Sequence, residues 1–190
     1  MGRDHATTLG ILAGGAATRL AGRDKAWLER GGLPQVLRWR RRFEGRVDAF
    51  IVSANAGPER YRDHGIAVVP DAVRDAGPMA GLSALAGACA TSWLLTLPVD
   101  LVDCNDCLLP TLRAAACDAG AWAEDDDGPQ PLVALWHAPT LRAAAGDALR
   151  AGVLSVRDLQ AGLGMHGVRF TGVRFGNLTT PDDLVQAGVA

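Results

Sequence analysis

Apolar residues fall along the chain in short blocks, each closed by glycine, proline or an acidic residue. Thr8-Leu9-Gly10-Ile11-Leu12-Ala13 is such a block and stops at Gly14-Gly15. A short apolar run closed by glycines predicts a buried strand that feeds a tight loop. The pattern recurs at Ala49–Ser53, at Ile66–Val69 before Pro70-Asp71, and at Trp93–Leu97 before Pro98-Val99-Asp100. Between these blocks the apolar period lengthens to that of a helix. Pro34 to Glu44 predicts one helix, with Pro in its first turn. Gly77-Pro78 opens a second that runs to about Ala90, and Asp106 to Asp118 forms a third. Strands at Ala121–Glu124 and Pro131–Trp136 flank an acidic turn, Asp125-Asp126-Asp127-Gly128. Thr140–Arg150 and Ser155–Leu163 are helical, Val168–Phe175 is strand-like, and a last helix starts at Pro181.

Strands alternating with helices predict a parallel-rich α/β sheet with helices on both faces. No repeat or long linker interrupts residues 1–190, which predicts one domain. The alternation is crispest before about residue 118. In such sheets ligands sit beyond the carboxyl ends of the strands. Gly14 to Lys25, Ser53 to Asn55, Asp71 and Asp100 should therefore converge.

Composition narrows the choice of function. With 190 residues and 48% hydrophobic content, the chain can bury a sizeable core. A formal net charge of -2 argues against a broad nucleic-acid footprint. No apolar stretch approaches the length of a membrane span, and the N-terminus lacks both a signal peptide and the Ser/Thr of a myristoylation signal. A cytoplasmic location is expected. Cys104-x-x-Cys107 has no second pair to complete a zinc site, so these cysteines are expected to be plain thiols. Of the 19 cationic residues one is lysine, Lys25. A lysine surviving so strong an arginine bias is a candidate for a close point contact that a guanidinium cannot make.

The loop Gly14-Gly15-Ala16-Ala17-Thr18-Arg19-Leu20-Ala21-Gly22-Arg23-Asp24-Lys25 joins strand-following glycines to two useful cations. Glycines let backbone N–H groups approach a phosphate. The loop matches neither G-x-x-x-x-G-K-[ST] nor G-x-G-x-x-G, yet its composition predicts phosphate binding. Asp100, closing the most hydrophobic strand, suits a hard divalent cation bridging phosphates, with a helix cap as its other role. Asp103 and Asp106 are rival ligands for which capping or solvent exposure is expected. Gly77-Pro78-Met79-Ala80-Gly81 is either a helix start with close packing or an anion site at a helix N-terminus. Arg38, Arg40, Arg41 and Arg42 around Trp39 predict a solvated helix face. Asp125 to Asp127 reads as a turn, and the scattered His5, His64, His137 and His166 read as structural or exposed.

Leu12-Ala13-Gly14-Gly15…Arg19…Gly22…Lys25 resembles the signature L-A-G-G-x-x-x-R-x-G-x-x-K of the molybdenum cofactor guanylyltransferase family. Asp71, Gly77-Pro78-Met79-Ala80-Gly81 (similar to G-P-L-A-G), Pro98-Val99-Asp100 (similar to P-x-D) and Phe175-Gly176-Asn177-Leu178-Thr179-Thr180-Pro181 (similar to F-x-N-x-N-T-P) extend the resemblance over nearly the whole chain. It implies a three-layer, Rossmann-like nucleotidyltransferase fold of the nucleotide-diphospho-sugar transferase type, with a mostly parallel sheet. Residues 1–118 would form the nucleotide-binding half and 119–190 the acceptor-binding half. The implied reaction is Mg²⁺-dependent transfer of GMP from GTP to molybdopterin, with or without bound molybdenum, releasing pyrophosphate. Related cytidylyl- or sugar-1-phosphate nucleotidylyltransferases, and a GTP-binding module without catalysis, are the alternatives. The resemblance assigns backbone groups of Leu12, Ala13 and Gly14 to the guanine and ribose, and Gly15 to GTP binding. Lys25 and Arg19 go to the triphosphate and to catalysis, Ser53, Asn55 and Asp71 to GTP binding, with Asp71 helping to recognise the nucleoside, and Asp100 to GTP binding, the metal and catalysis. Asn177, Thr179 and Arg157 are assigned to the acceptor. Gly-Gly in place of the Ala-Gly of the cytidylyltransferases favours GTP. Ser53 and Thr179 stand where the family has Asn; both still hydrogen-bond, with shorter reach. A monomer with transient contacts to cofactor-inserting proteins is the expected assembly.

Overall fold

The computed structural model describes residues 5–14, 19–20, 23–71, 73 and 76–189. In chain order the elements are β1 (Thr7–Leu12), β2 (Arg19–Leu20), β3 (Arg23–Asp24), a single 3₁₀ turn (Lys25–Trp27), β4 (Glu29–Arg30), β5 (Leu33–Pro34), α1 (Gln35–Arg42), β6 (Ala49–Ser53), α2 (Pro58–Asp63), β7 (Ala67–Val69), α3 (Gly77–Ala88), β8 (Trp93–Pro98), α4 (Leu108–Ala115), β9 (Gly120–Asp125), β10 (Gly128–His137), α5 (Ala138–Arg150), α6 (Val156–Gly162), β11 (His166–Arg169) and α7 (Pro181–Gln186). Seven strands form one sheet in the order β11-β9-β10-β8-β1-β6-β7. All neighbours pair in parallel except β10, which is antiparallel to β8 and β9. The β2–β3 and β4–β5 pairs are small hairpins outside that sheet.

Every residue of β1 is buried, as expected for a central strand covered on both faces. Alternate strand residues feed two apolar clusters. Leu9, Ile11, Leu95 and Leu97 pack with Val36, Trp39 and Phe43 of the α1 region and with Leu108 and Leu112 of α4. Leu12 and Leu94 pack with Leu82 and Leu85 of α3, Leu141 and Ala145 of α5, and Leu159 of α6. These are the two outer layers of a three-layer α/β/α domain. Among the described residues, no helix is long and apolar enough to cross a membrane.

Most predicted elements appear within a few residues of their expected limits. One strand differs: Val168–Phe175 pairs only as β11, His166–Arg169. The chain then turns at Gly172, whose φ is 72°, and the stretch to Phe175 is held by a carboxylate rather than a strand. Asp125, expected to be a plain turn residue, is fully buried. It accepts from the backbone N–H of Phe175 at 2.9 Å, from that of Asp127 at 3.0 Å and from Gln130 Nε2 at 3.1 Å. A buried carboxylate with three donors is satisfied, and here it ties the β9–β10 turn to the closing segment. The arginine run is also more engaged than a solvated face. Arg40 donates to the His64 carbonyl at 2.6 Å, and Arg42 pairs with Asp103 and Asp106.

Candidate active site

The carboxyl ends of β1, β6, β7 and β8 bring most of the expected residues to one edge. Backbone bonds lock them there: Ala13 N–H donates to Ser53 O at 2.8 Å, Ala54 N–H to Val69 O at 3.0 Å, and Val99 N–H to Leu12 O at 3.0 Å. Asp71 sits two residues beyond β7, inside a small polar network. Ser53 Oγ donates to its Oδ1 at 2.6 Å, and Asn55 Nδ2 donates to its Oδ2 at 2.7 Å. The Asp71 N–H returns a bond to Asn55 Oδ1 at 2.9 Å. Each carboxylate oxygen accepts more than one bond, so the network orients Asp71 without exhausting it.

Two glycines make this crowding possible. A Cβ on Gly14 would lie 2.9 Å from Asp71 Oδ2, and one on Gly81 would lie 2.8 Å from Leu12 Cδ2 and 3.1 Å from Ser53 Oγ. Glycine in Gly77-Pro78-Met79-Ala80-Gly81 is therefore needed for close packing. The same segment starts α3, with Gly77 at φ 57° and no side-chain cap.

At the other end, Lys25 meets Asp100. Asp24 accepts from Ala26 N–H at 3.0 Å and closes the 3₁₀ turn that buries Lys25. Lys25 Nζ then donates to Asp100 Oδ2 at 2.8 Å. The side chains are 6% and 25% exposed, so the ammonium is the more enclosed partner. Asp100 is held by the closing segment. Leu178 N–H donates to Asp100 O at 2.8 Å, Val102 N–H to Gly176 O at 3.1 Å and Asp103 N–H to Phe175 O at 3.1 Å. Leu101 and Asn177 form an antiparallel bridge.

A cleft of about 160 Å³ joins the two ends, with Asp71 and Gly14 at one and Lys25 and Asp100 at the other; Gly77, Pro78 and Gly81 of α3 also line it. Leu132 of β10 completes the wall. No sequence signal marked it, because its place depends on how an antiparallel strand is inserted beside β8. Asn177 and Thr179 are exposed just beyond Asp100, whereas Arg157 is exposed on α6 and does not line the cleft. Gly15 lies outside the described residues, as does the Arg19 side chain. Asp103 and Asp106 form ion pairs with Arg42 at 3.3 and 3.2 Å, and Asp103 also caps Cys104 N–H at 2.8 Å. Among the described residues no group of three or more His, Cys, Asp or Glu could hold a metal. Burial pushes the Cys104 thiol up to about 11, and Cys107 is exposed.

Residues 9–163 match the family model described as a MobA-like NTP transferase domain. The chain belongs to this family. Two MobA-like relatives named molybdenum cofactor guanylyltransferase come from Pseudomonas aeruginosa, 36% identical, and Serratia proteamaculans, 31% identical. Each aligns over 183 residues, 93% of this chain and 91% of the relative. Among solved structures, molybdopterin-guanine dinucleotide biosynthesis protein A from Archaeoglobus fulgidus superposes with a TM-score of 0.72 at 18% identity, covering 95% and 96% of the two chains. The 2-C-methyl-D-erythritol 4-phosphate cytidylyltransferase of Thermus thermophilus gives 0.69 at 18% identity, covering 94% and 96%. The MobA-like chain thus has the expected nucleotide-diphospho-sugar transferase type of fold, and it is a nucleotidyltransferase.

Proposed function

We propose that the chain transfers GMP from GTP to the terminal phosphate of molybdopterin. An acceptor phosphate oxygen attacks the α-phosphorus, the bond between the α-phosphorus and its bridging oxygen to the β-phosphate breaks, and pyrophosphate leaves. The observation that carries this reading is the two-ended cleft: an oriented carboxylate at Asp71 and a buried ammonium–carboxylate pair at Lys25 and Asp100. The relatives' shared name adds the base and the acceptor.

Each residue has a task that its geometry suits. Asp71, fixed by Ser53 and Asn55, accepts from the nucleoside. Gly14 and Gly81 keep the backbone close enough for that contact. The N-terminus of α3 faces the phosphates with its backbone dipole. Lys25 carries three donors on one ammonium; bonded to Asp100, it also reaches phosphate oxygens and stabilises the charge that develops on the departing pyrophosphate. The donor set fits a hard divalent cation that takes one protein carboxylate and fills its remaining positions with phosphate oxygens and water. Asp100 would hold Mg²⁺, which when bound neutralises phosphate charge. The rate gain comes from positioning and electrostatics, so no covalent nucleophile is required. Residues 1–118 serve the nucleotide, and Asn177 and Thr179, beside Asp100, serve the acceptor.

The test is to incubate the protein with Mg²⁺, molybdopterin and each nucleoside triphosphate in turn, measuring pyrophosphate. Release with GTP is expected. Preference for CTP, or release with a sugar 1-phosphate but not with molybdopterin, would overturn the reading.

A further inference from the structure

Across the sheet from α3, the β4–β5 hairpin, α1 and residues 102–103 bound a second and larger cleft, about 470 Å³. That volume is typical of small-molecule sites. Its lining is unusual for a chain of net charge -2: Arg30, Arg38, Arg41 and Arg42 face a single carboxylate, Asp103. Arg42 is matched by Asp103 at 3.3 Å and Asp106 at 3.2 Å. Among the described residues no carboxylate lies within ion-pair distance of Arg30, Arg38 or Arg41. Arg30 Nη1 instead donates to the Val102 carbonyl at 2.8 Å, and Arg38 Nη1 to the Arg30 carbonyl at 3.4 Å.

Three of these arginines share one face of α1, because 38, 41 and 42 are related by i+3 and i+4. Like charges at that spacing each cost a few tenths of a kcal/mol, and α1 (QVLRWRRR) contains no acidic residue to relieve them. Burial and the charges of Arg30 and Arg42 lower the pKa of Arg38, against an opposing effect of Asp103. The wall contributes a further uncompensated group: Trp39 is 3% exposed, and its indole N–H has no hydrogen-bond partner.

We propose that this cleft is a second anion site, beyond the transferase reading above, and that it takes a polyphosphate chain. Guanidinium forks grip phosphate oxygens in pairs, and three guanidinium groups without a carboxylate partner, each with donors left over, suit two or three linked phosphates. The chain could be free pyrophosphate or the triphosphate of a nucleotide. An acidic protein segment fits less well, since specific protein interfaces use roughly 20–30 residues a side and nine residues line this cleft.

Equilibrium dialysis with labelled pyrophosphate, at low ionic strength and without acceptor, tests the proposal. Wild type should bind about two per chain. Arg38→Gln/Arg41→Gln should bind one, and Lys25→Met should lose the other. Arg41→Gln alone, at an exposed side chain, should weaken the second site at least tenfold while leaving the thermal melt and guanylyl turnover unchanged. GTP titrated into Lys25→Met distinguishes the sources: binding lost in Arg41→Gln/Lys25→Met identifies a nucleotide tail, and no such binding leaves free pyrophosphate. One pyrophosphate per wild-type chain that is retained in Arg38→Gln/Arg41→Gln, or two in that variant, overturns the proposal, whereas one that is lost there and kept in Lys25→Met upholds it and counts against the transferase site instead. Arg41-dependent binding of a poly-glutamate peptide without any Arg41-dependent pyrophosphate also overturns it.

Discussion

Replacing Asp100 by Asn should destabilise the protein more than replacing Lys25 by Met, although both changes break the same 2.8 Å contact. The reason is the unequal burial of the partners. Lys25→Met leaves a carboxylate that is 25% exposed and can recruit water, so the loss resembles that of a surface pair, below about 1 kcal/mol. Asp100→Asn leaves an ammonium only 6% exposed without a counter-charge. Removing one partner from a fully buried pair costs about 3–5 kcal/mol. Discounted for the solvent that reaches Asp100, about 2–3 kcal/mol remains, which for a domain of this size lowers Tm by roughly 4–12 °C. Thermal melts of both variants, followed by tryptophan fluorescence, measure the difference. A second arm adds GTP without metal. The triphosphate supplies the missing anion, so it should raise Tm more in Asp100→Asn than in wild type. In turnover, by contrast, both variants should fall by ~10²-fold or more. Equal losses of stability, or a larger loss in Lys25→Met, would refute the reasoning from burial.

Other consequences can be read from the same structure. Lys25→Arg keeps the charge but puts a wider fork in an enclosed site, and should lower turnover at least ~10-fold in the pyrophosphate assay; near-normal turnover would make the lone lysine an accident of composition. Gly14→Ala would push a methyl to within 2.9 Å of Asp71 Oδ2. It should raise KM for GTP by about tenfold, a change of ~1.4 kcal/mol, with a smaller effect on kcat. Gly120→Ala would strain a φ of 132° and place Cβ 2.0 Å from the Leu135 carbonyl oxygen; a loss of ~3 kcal/mol or more is expected in urea melts. At pH 8 a thiol reagent should label Cys107 and spare Cys104, whose burial holds its pKa near about 11. The sign follows from that upward shift: the stability contributed by the neutral Cys104 thiol is fully present below the ordinary thiol range and is lost as pH rises toward 11.

The convergence of residues on the cleft edge was legible because they follow strands whose apolar runs are plain. Leu12, Ser53, Asp71 and Asp100 each lie at or just past such a run, and parallel pairing delivers them to one edge. That Lys25 would reach Asp100, 75 residues away, followed from convergence on that edge; their direct bond did not. α2 escaped notice because six residues give too few turns for a helical period to register. Asp125 was misjudged for a different reason. Three consecutive aspartates look like solvent-facing turn residues, and only the distant Phe175 N–H reveals that one of them is turned inward. Arg42 is similar: its partners Asp103 and Asp106 lie on a separate loop, so no local pattern distinguished it from its helix neighbours.

The hold of residues 175–178 on Asp100 has a consequence for the timing of synthesis. The β1, β6 and β8 pairings need only residues up to 98, so much of the sheet can assemble while the chain is still growing. The backbone groups of residues 175–178 that bond residues 100–103 arrive some 75 residues later, which at 5–20 residues per second is a delay of roughly 4–15 s. During that interval the nascent domain carries the loop, the lysine and the strands but not the clamp on its acidic residue. The cleft is therefore completed late, after the strands that form most of its edge have been made.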